Sequence, residues 1–407
     1  MKYNDLKVPN IFVKMKRKFL PYLFLLWGIA ACKTTPSVNP DTSGLFIKMF
    51  GGATNDEAYS AVTATDGGYV FLGATTSFAA GTDNTQDIFL IKADQNGNEL
   101  WTRNLGGHSG KSIQNTLDGG FIVLGDTLVA DTTSLVLIKT DGEGQVQWSK
   151  NYGKANRNEV ATNVQLTQEG GYLMMGNVLN NDGSSDIYVI KTDGQGNIIR
   201  ERVYGFANLQ NSTATILEDP TTKDILWCGT AFTATSATSD IRVVRANDIV
   251  NTQWDYFFGG TASETGKDMK QVSGGYVIVG TTASEGNGGS DVYLIKISEQ
   301  GILQWSKTFG GAANDEGQAI SLTDDGGYII TGSTESEGEG GKDVFLIKTD
   351  ADGNQVWTET FGGTKDDVGR IVLQTADKGF LLLSTIVFEN NNMLGLIKVN
   401  NAGKLVE

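Results

Sequence analysis

The sequence has few of the residue types on which metal sites, disulfide frameworks and common catalytic triads depend. Its 407 residues include two cysteines, one histidine and five prolines. A single histidine excludes a histidine-rich zinc site and leaves His108 as the only histidine base for a nucleophilic triad. With only Cys32 and Cys228 present, no disulfide framework is expected. Cys228 lies in the apolar segment ILWCG, so we expect a small buried residue there, not a catalytic thiol.

Positive charge is also scarce, which bears on the class of partner. The chain has 32 Lys and Arg against 47 Asp and Glu, a formal net charge of −15. Residues 1–31 hold six of the basic residues and one acidic residue, so the remainder carries 26 against 46, or −20. Such a balance disfavours a nucleic-acid partner. The glycine-rich segments GNGGSD and GEGGKD lack the GxxxxGK[ST] pattern, so phosphate binding of that kind is not expected.

The N-terminal segment has the pattern of an export signal. Basic residues at positions 14, 16, 17 and 18 precede an apolar run at 19–31, which is too short to span a bilayer. The run ends in Ile-Ala-Ala before Cys32, which resembles the bacterial lipobox and implies cleavage before Cys32 and its lipidation. We therefore predict a signal peptide at 1–31, a flexible linker at 32–43 and a folded domain at 44–407. Met15 is an alternative start to Met1.

A repeat of about 52 residues fills the folded domain. One tight-turn position recurs at intervals of 51 to 53 residues, at Gly68, Gly120, Gly171, Asp224, Gly275, Gly327 and Gly379. Each copy contains four β-prone runs, paired into two hairpins by turns such as DDGG and DADGN. A period near 50 residues with four strands per copy is typical of a β-propeller, and a solenoid is the alternative. We predict an all-β, seven-bladed propeller of four-stranded antiparallel blades.

The second hairpin of each copy, LIKTDADGNQVW in the sixth, resembles the tryptophan-docking motif of quinoprotein-type propellers. The whole repeat, over residues 45–407, is similar to propeller repeats of bacterial and archaeal surface proteins and lipoproteins. This resemblance implies a fold and no particular activity, because propellers host many unrelated functions. We expect the repeated tryptophans to pack blade against blade, with ligand stacking as the alternative. They are Trp101, Trp148, Trp254, Trp305 and Trp357.

The two ends of the domain are predicted to complete one blade. The last copy stops at Glu407, where the previous copy has Trp357, so its fourth strand is incomplete. The segment LFIKMF at 45–50 aligns with a fourth strand and places Phe46 at the tryptophan position. We therefore predict that residues 45–50 form the outer strand of the last blade and close the ring. In the alternative, residues 403–407 form that strand alone.

Acidic loops are the main chemical resource of the sequence. In a four-stranded antiparallel blade, the loop before the first strand and the loop between strands two and three emerge on one face. The candidate binding face comprises Asp56, Glu57, Glu264, Asp315, Glu316, Asp366 and Asp367. Further loop carboxylates are Glu159, Glu285, Glu335, Glu337 and Glu339. They suit a cation, a basic partner or a glycan, or an acid–base pair. The simpler interpretation is that these solvated acidic loops keep a surface protein soluble.

These features predict an exported, lipid-anchored protein of the bacterial cell envelope, at the outer membrane, acting as a binding or scaffolding module. We expect a monomer, an envelope protein or glycan as partner, and no cofactor. The segments DADGN and DQNGN lack the distal Glu of a calcium loop, so any calcium binding should be weak. The alternative function is a carboxylate-based glycan-active enzyme, a hydrolase or lyase.

Overall fold

The computed structural model describes residues 45–405 except 80–85, 130–131, 155–156, 206–208, 234–237, 248 and 250. The predicted signal peptide, linker and Cys32 lie outside the described residues. The described part is built of strands and turns. It has no helix with the length and apolar character needed to cross a membrane.

Twenty-eight strands lie in the described residues, and most are seven to nine residues long. They are β1 (Phe46–Phe50), β2 (Asp56–Thr63), β3 (Tyr69–Thr75), β4 (Asp87–Ala93), β5 (Glu99–Gly106), β6 (Ser109–Asn115), β7 (Phe121–Val129), β8 (Thr132–Thr140), β9 (Val146–Tyr152), β10 (Asn158–Leu166), β11 (Tyr172–Leu179), β12 (Ser185–Thr192), β13 (Ile198–Tyr204) and β14 (Leu209–Glu218). The chain continues with β15 (Ile225–Thr233), β16 (Ser239–Asn247), β17 (Asn251–Phe258), β18 (Glu264–Val272), β19 (Gly275–Thr282), β20 (Asp291–Ser298), β21 (Leu303–Phe309), β22 (Asp315–Leu322), β23 (Tyr328–Thr334), β24 (Asp343–Thr349), β25 (Gln355–Phe361), β26 (Val368–Gln374), β27 (Phe380–Phe388) and β28 (Asn391–Val399).

The strands form six sheets by hydrogen bonding. Five sheets have four antiparallel strands: β2–β5, β6–β9, β18–β21, β22–β25, and β26–β28 with β1 at the edge. The sixth has eight strands, β10–β17, because one parallel pair, Ser185 with Gln210, joins β12 to β14. Polar groups make this junction: the Asn211 amide N–H donates to Ser185 Oγ (2.7 Å) and Ser185 Oγ donates to the Asn211 carbonyl (2.5 Å).

The second and third strands of each copy are buried on both faces. Every residue of β3 and β4 is buried, and the runs YVFLGAT and DIFLIKA are accordingly apolar almost throughout. The core clusters join neighbouring sheets: Phe71 and Phe89 share one cluster with Leu381 and Leu396 of the last sheet. The first strands also contact in succession, from β2 through β6, β10, β14, β18 and β22 to β26, and β26 contacts β2.

The tryptophan of a fourth strand packs on a glycine turn in the next copy of the repeat. A Cβ built on Gly144 would lie 2.7 Å from Cη2 of Trp101, and one on Gly353 would lie 2.7 Å from Cη2 of Trp305. Both glycines have positive φ angles, 74° and 75°, so the turn itself favours glycine. The equivalent contacts are Trp148 on Gly196, Trp254 on Gly301 and Trp357 on Gly403.

The fourth copy departs from this pattern, as its divergent sequence suggests. Ile249, with φ 65°, stands at the turn where other copies have glycine. Tyr204 at the end of β13 donates its hydroxyl to the Ile249 carbonyl (2.7 Å), as Tyr152 does to the Gly196 carbonyl (2.6 Å). Tyr204 also packs on Trp227, with ring centroids 6.3 Å apart. Inter-sheet contact is thus kept without a docking tryptophan.

The basic residue that ends each third strand is buried and paired in most copies. The Lys139 side chain is 6% exposed and its Nζ lies 2.9 Å from Asp118 of the preceding tight turn. Hydrogen bonds from Thr116 and Lys139 lower the pKa of Asp118 to about 2. The same pairing joins Lys92 to Asp66, Lys348 to Asp325 and Lys398 to Asp377. Where Ser273 replaces the aspartate, Lys296 is only half-buried.

Strand β1 occupies the position that the sequence predicts for it. It pairs antiparallel with β28, from Phe46 opposite Lys398 to Phe50 opposite Leu394. The Phe46 ring lies against Gly97 of the first sheet, where a built Cβ would meet Cε2 at 2.5 Å. Phe46 thus makes the contact that tryptophan makes elsewhere. Residues 400–405 form a turn instead of an outer strand, which disfavours the alternative.

This arrangement predicts that Phe46 contributes much more to stability than its neighbour Ile47. Phe46 is half-buried against Gly97, whereas Ile47 is 41% exposed. We expect Phe46→Ala to lower the free energy of unfolding by about 2 to 3 kcal/mol, somewhat below the range for a fully buried phenylalanine. Ile47→Ala should cost less than about 1 kcal/mol. Urea unfolding of both variants tests this, and equal losses would contradict the docking role of Phe46.

Candidate functional site

Two sets of loops meet at one edge of the sheets. The Asp315 amide N–H donates to the Ser290 carbonyl (2.6 Å), and the Asp367 amide N–H donates to the Lys342 carbonyl (2.6 Å). Each bond joins the loop between strands two and three of one sheet to the start of the next sheet. The loops concerned are residues 51–55, 76–79, 259–263, 283–290, 310–314, 335–342 and 362–366. We call this edge the loop edge.

Four of the seven candidate carboxylates are buried beneath the loop edge. They are Asp56, Glu264, Asp315 and Asp367, each no more than 2% exposed. Each accepts a backbone N–H from the residue four positions earlier. The bonds are Gly52 N to Asp56 Oδ2 (2.8 Å), Gly260 N to Glu264 Oε2 (2.9 Å), Gly311 N to Asp315 Oδ2 (2.8 Å) and Gly363 N to Asp367 Oδ2 (2.9 Å). Glu159 is buried as well and accepts the Lys154 amide N–H (2.8 Å).

These carboxylates also fasten the second set of loops. Asp56 accepts hydrogen bonds from the hydroxyls of Thr75 (2.5 Å) and Ser77 (2.8 Å), which end β3 and begin the next loop. Asp315 accepts one from Ser336 Oγ (2.7 Å). The Ser and Thr residues that follow the second strand in the repeat therefore have a structural partner. Because one carboxylate holds two loops, the loop backbone is fixed before any ligand arrives.

A second carboxylate lies beside several of the buried ones. Gly310 is enclosed between two of them: a Cβ built on it would lie 2.1 Å from Asp291 Oδ1 and 2.5 Å from Asp315 Oδ2. Burial raises the pKa of Asp291, and the nearby Asp315 carboxylate raises it further. Burial and Asp343 likewise raise the pKa of Asp367. The four carboxylates of these pairs are buried within the loop packing.

The outward-facing carboxylates form a different subset. Glu57 and Glu316 are half-buried and Asp366 is exposed. Glu57 accepts a hydrogen bond from the Tyr59 hydroxyl (2.7 Å), and Glu316 pairs with Lys342 Nζ (2.8 Å). The exposed carboxylates of the second loop set are Glu285, Glu335, Glu337 and Glu339. The candidate face therefore divides into buried groups that hold the loops and exposed groups that can meet a partner.

The other candidate residues lie in turns or are buried in the core. Within the described ranges, no three His, Cys, Asp or Glu side chains are grouped to hold a metal ion. In the DADGN turn, Asp350 Oδ1 accepts the amide N–H of Asn354 (2.8 Å), which is turn chemistry. Cys228 is fully buried, and burial raises the pKa of its thiol to about 12. A thiolate is therefore not expected there at neutral pH.

Sequence reasoning missed the cations of a cavity between the first strands. A cavity of about 470 Å³ lies between the first strands of the copies, β2, β6, β10, β14, β18, β22 and β26, and Lys111, Lys267 and Arg370 are among its lining residues. The sequence does contain a sign of them, because the three cations occupy equivalent positions in their copies and the residue type at this position changes from copy to copy.

Comparison with solved structures identifies the fold as a β-propeller. The WD40 β-propeller domain of Doa1 aligns with a TM-score of 0.53 and 9% identity, over 84% of this chain and 94% of that chain. A protein of unknown function from Dyadobacter fermentans aligns at 0.49 and 10%, over 86% and 97%. The β-propeller domain of the Trilobed protease from Pyrococcus furiosus also aligns at 0.49 and 10%, over 86% and 98%. At 9% identity, the similarity to the Doa1 domain shows the fold alone.

Sequence comparison adds little about function. The Regulatory protein FlaEY of Caulobacter vibrioides is 28% identical over 93 residues, which is 20% of this chain and 10% of that protein. The match therefore spans about a tenth of the relative's length. No family model matches the chain.

The buried carboxylates predict a stability maximum on the acid side of neutrality. Asp291 and Asp367 have raised pKa values in the folded state, so stability increases as the pH falls through those values towards the unfolded value near ~4. Asp118 and Asp325 have lowered pKa values of about 2, so their contribution is present above ~4 and is lost as the pH falls from ~4 to 2. We expect the maximum at about pH 4 to 5.

Urea unfolding across this range, at low protein concentration because the isoelectric point is near 4.6, measures the prediction. The double variant Asp291→Asn, Asp367→Asn serves as the control, since it should flatten the rise between neutral pH and about pH 5. A maximum at or above pH 7 in the wild-type protein would contradict the argument.

Proposed function

We propose that this chain is a lipid-anchored protein of the cell envelope whose seven-bladed propeller, closed by β1, acts as a binding or scaffolding module. Its partner is an envelope protein with a basic surface, which contacts the exposed carboxylates of the loop edge. Propeller domains commonly serve such roles, and the fold itself prescribes no chemistry. A glycan that binds the carboxylates through its hydroxyls is the second ligand class.

The blade count rests on the repeat of four antiparallel strands. The eight-stranded sheet β10–β17 contains two such sets, and one parallel residue pair joins them. If these two sets are counted as two blades, they make seven blades together with the five four-stranded sheets. Closure by β1 is supported by its pairing with β28, by the contact of Phe46 with Gly97 and by the contact of β26 with β2.

The observation that supports the binding role is that some loop carboxylates are buried and hold the loops, while others are exposed. Buried Asp56, Glu264, Asp315 and Asp367 hold the loop backbone, while exposed Glu335, Glu337 and Glu339 extend from a loop fixed in this way. Loops that are ordered beforehand lose less entropy when a partner binds. Opposite charge on the partner would favour encounter and register.

A comparison of two charge-matched variants tests the binding role. The triple variant Glu335→Gln, Glu337→Gln, Glu339→Gln removes exposed charge from the loop edge. The control, Glu99→Gln, Glu143→Gln, Asp352→Asn, removes the same charge from exposed positions in or beside the hairpin turns between third and fourth strands. After cross-linking in envelope membranes, the loop-edge variant should lose partners that the control retains, and this capture should weaken as salt rises.

Identical partner sets for both variants would contradict a role of the loop edge. Turnover of a polysaccharide panel, lost when loop carboxylates are neutralised, would instead favour a carboxylate-based glycan-active enzyme.

The anchor is proposed from the sequence around Cys32 alone. We expect labelled fatty acid to be incorporated by the wild-type chain and lost completely in Cys32→Ser, because a thioether to lipid needs that sulfur. Cys228→Ser is the matched control, since Cys228 is fully buried and should not accept lipid. Label retained by Cys32→Ser would exclude this anchor.

A further inference from the structure

The first strand of each copy has a β-bulge at the same position. Pairing with the second strand shifts register between Ala58 and Ser60, Gly110 and Ser112, Ala161 and Asn163, Thr213 and Thr215, Gly266 and Asp268, Gly317 and Ala319, and Gly369 and Ile371. Each shift leaves one residue without a partner in the ladder. A bulge of this kind re-aims a side chain and is often found beside functional sites.

The seven bulged residues all line the cavity between the first strands. They are Tyr59, Lys111, Thr162, Ala214, Lys267, Gln318 and Arg370. We call them the bulge residues. Three are cations, none is acidic, and three of the others carry hydrogen-bonding groups. This composition contrasts with the net charge of −15 of the chain and with the exposed carboxylates of the loop edge.

Two of the three cations have no acidic partner in the cavity. Among the described residues, neither Lys267 nor Arg370 forms an ion pair within 4.0 Å, and Arg370 Nε donates to the Thr385 hydroxyl (3.4 Å). The nearest carboxylate of Lys111 is Asp126, at 3.7 Å, and Lys111 Nζ lies 4.4 Å from the centre of the Tyr59 ring. The Lys267 side chain is exposed to solvent, but nearby protein atoms still remove part of its hydration. This desolvation lowers the pKa of Lys267; Glu316 opposes the shift, and Arg370 adds to it.

A fourth cation in the same cavity is neutralised within the fold. Lys270 Nζ donates to both oxygens of Asp268, at 2.9 and 2.8 Å. Asp268 in turn accepts the Ile320 amide N–H (3.1 Å) and the Thr215 hydroxyl (2.9 Å). The chain therefore can place a carboxylate beside a cavity cation, and it does so for Lys270 but not for Lys267 or Arg370.

We propose that the bulge residues form a binding site for a small anion with two or more negative charges, of the phosphate-ester or polycarboxylate class. Lys111, Lys267 and Arg370 supply the positive charge, and Arg370 can bind two oxygens at once. Gln318 adds an amide hydrogen-bond donor, whereas the hydroxyls of Tyr59 and Thr162 already donate to Glu57 (2.7 Å) and the Met175 carbonyl (2.9 Å). Ala214 leaves space on one side. A volume of about 470 Å³ is within the usual range for small-molecule sites.

The charges around the cavity favour a small anion over a long one. Glu57 and Glu316 lie on β2 and β22, two residues before Tyr59 and Gln318, towards the loop edge. Together with the exposed loop carboxylates, they would repel a polyanion lying across the entrance. The site does not rest on the proposed partner of the loop edge, because it uses none of those carboxylates.

Titration calorimetry of the purified protein with two probes tests the proposal. Inorganic pyrophosphate represents the phosphate class and citrate the carboxylate class, with acetate as the monovalent comparison. We expect one equivalent of pyrophosphate or citrate to bind more tightly than acetate, and the preferred probe identifies the class. Lys267→Gln and Arg370→Gln should each weaken binding roughly tenfold or more, as expected for a lost charge-assisted hydrogen bond. Lys365→Gln, an equal charge change at an exposed loop residue, should have no effect.

Two further measurements separate a binding site from a structural role. Gln318→Glu keeps every cation and adds one negative charge, so it should weaken binding while Gln318→Asn does not. Lys267→Gln should unfold at the same or higher urea concentration, because it removes a cation that lies near Arg370. The proposal fails if wild-type protein binds neither probe at millimolar concentration, or if Lys267→Gln and Arg370→Gln bind as tightly as the wild type.

Discussion

A sheet that is apolar on both faces must be covered on both faces, and the rest of this structure depends on that constraint. Strands such as β3 and β4 bury every residue, so no single copy of the repeat can be stable in water. Each copy is covered by its neighbours, and a fourth-strand aromatic ring on a glycine turn sets their spacing. The turn cannot carry a side chain there: the Trp101 ring occupies the space of a Cβ on Gly144. The same requirement explains why β1 joins the last sheet, since an unpaired β28 would expose a strand edge.

Close packing of successive sheets brings acidic residues of one copy beside those of the next. Asp291 and Asp315 flank Gly310, and burial next to a second carboxylate disfavours ionisation of Asp291. The opposing gain is the set of hydrogen bonds that Asp315 accepts from the Gly311 amide and Ser336 hydroxyl. The burial of neighbouring carboxylates thus lowers the stability of the fold, while their hydrogen bonds give the loops a defined shape. That exchange is useful where loops must present groups to a partner.

The sequence made the strands, the repeat and the place of β1 predictable, because glycine turns and apolar runs recur at a fixed period. It could not separate Asp56 from Glu57. Both open strand β2, yet Asp56 is buried and accepts hydrogen bonds from Gly52 and Thr75, while Glu57 faces outward. Those partners come from a loop and from the end of β3, and their meeting depends on the packed fold. The cavity residues were hidden for another reason: a bulge breaks the two-residue alternation that strand patterns rely on.

A repeat fold separates positions that every copy needs from positions that differ among copies. The turn glycine recurs in almost every copy because the same contact recurs, and so does the loop-holding carboxylate in most copies. The bulge position varies through Tyr, Lys, Thr, Ala, Lys, Gln and Arg, so packing does not dictate its identity. Lys267 and Arg370 have no carboxylate partner and lie near each other in a shared cavity, so their like charges bring no evident gain in folding energy. Their placement is therefore better explained by a ligand than by the fold.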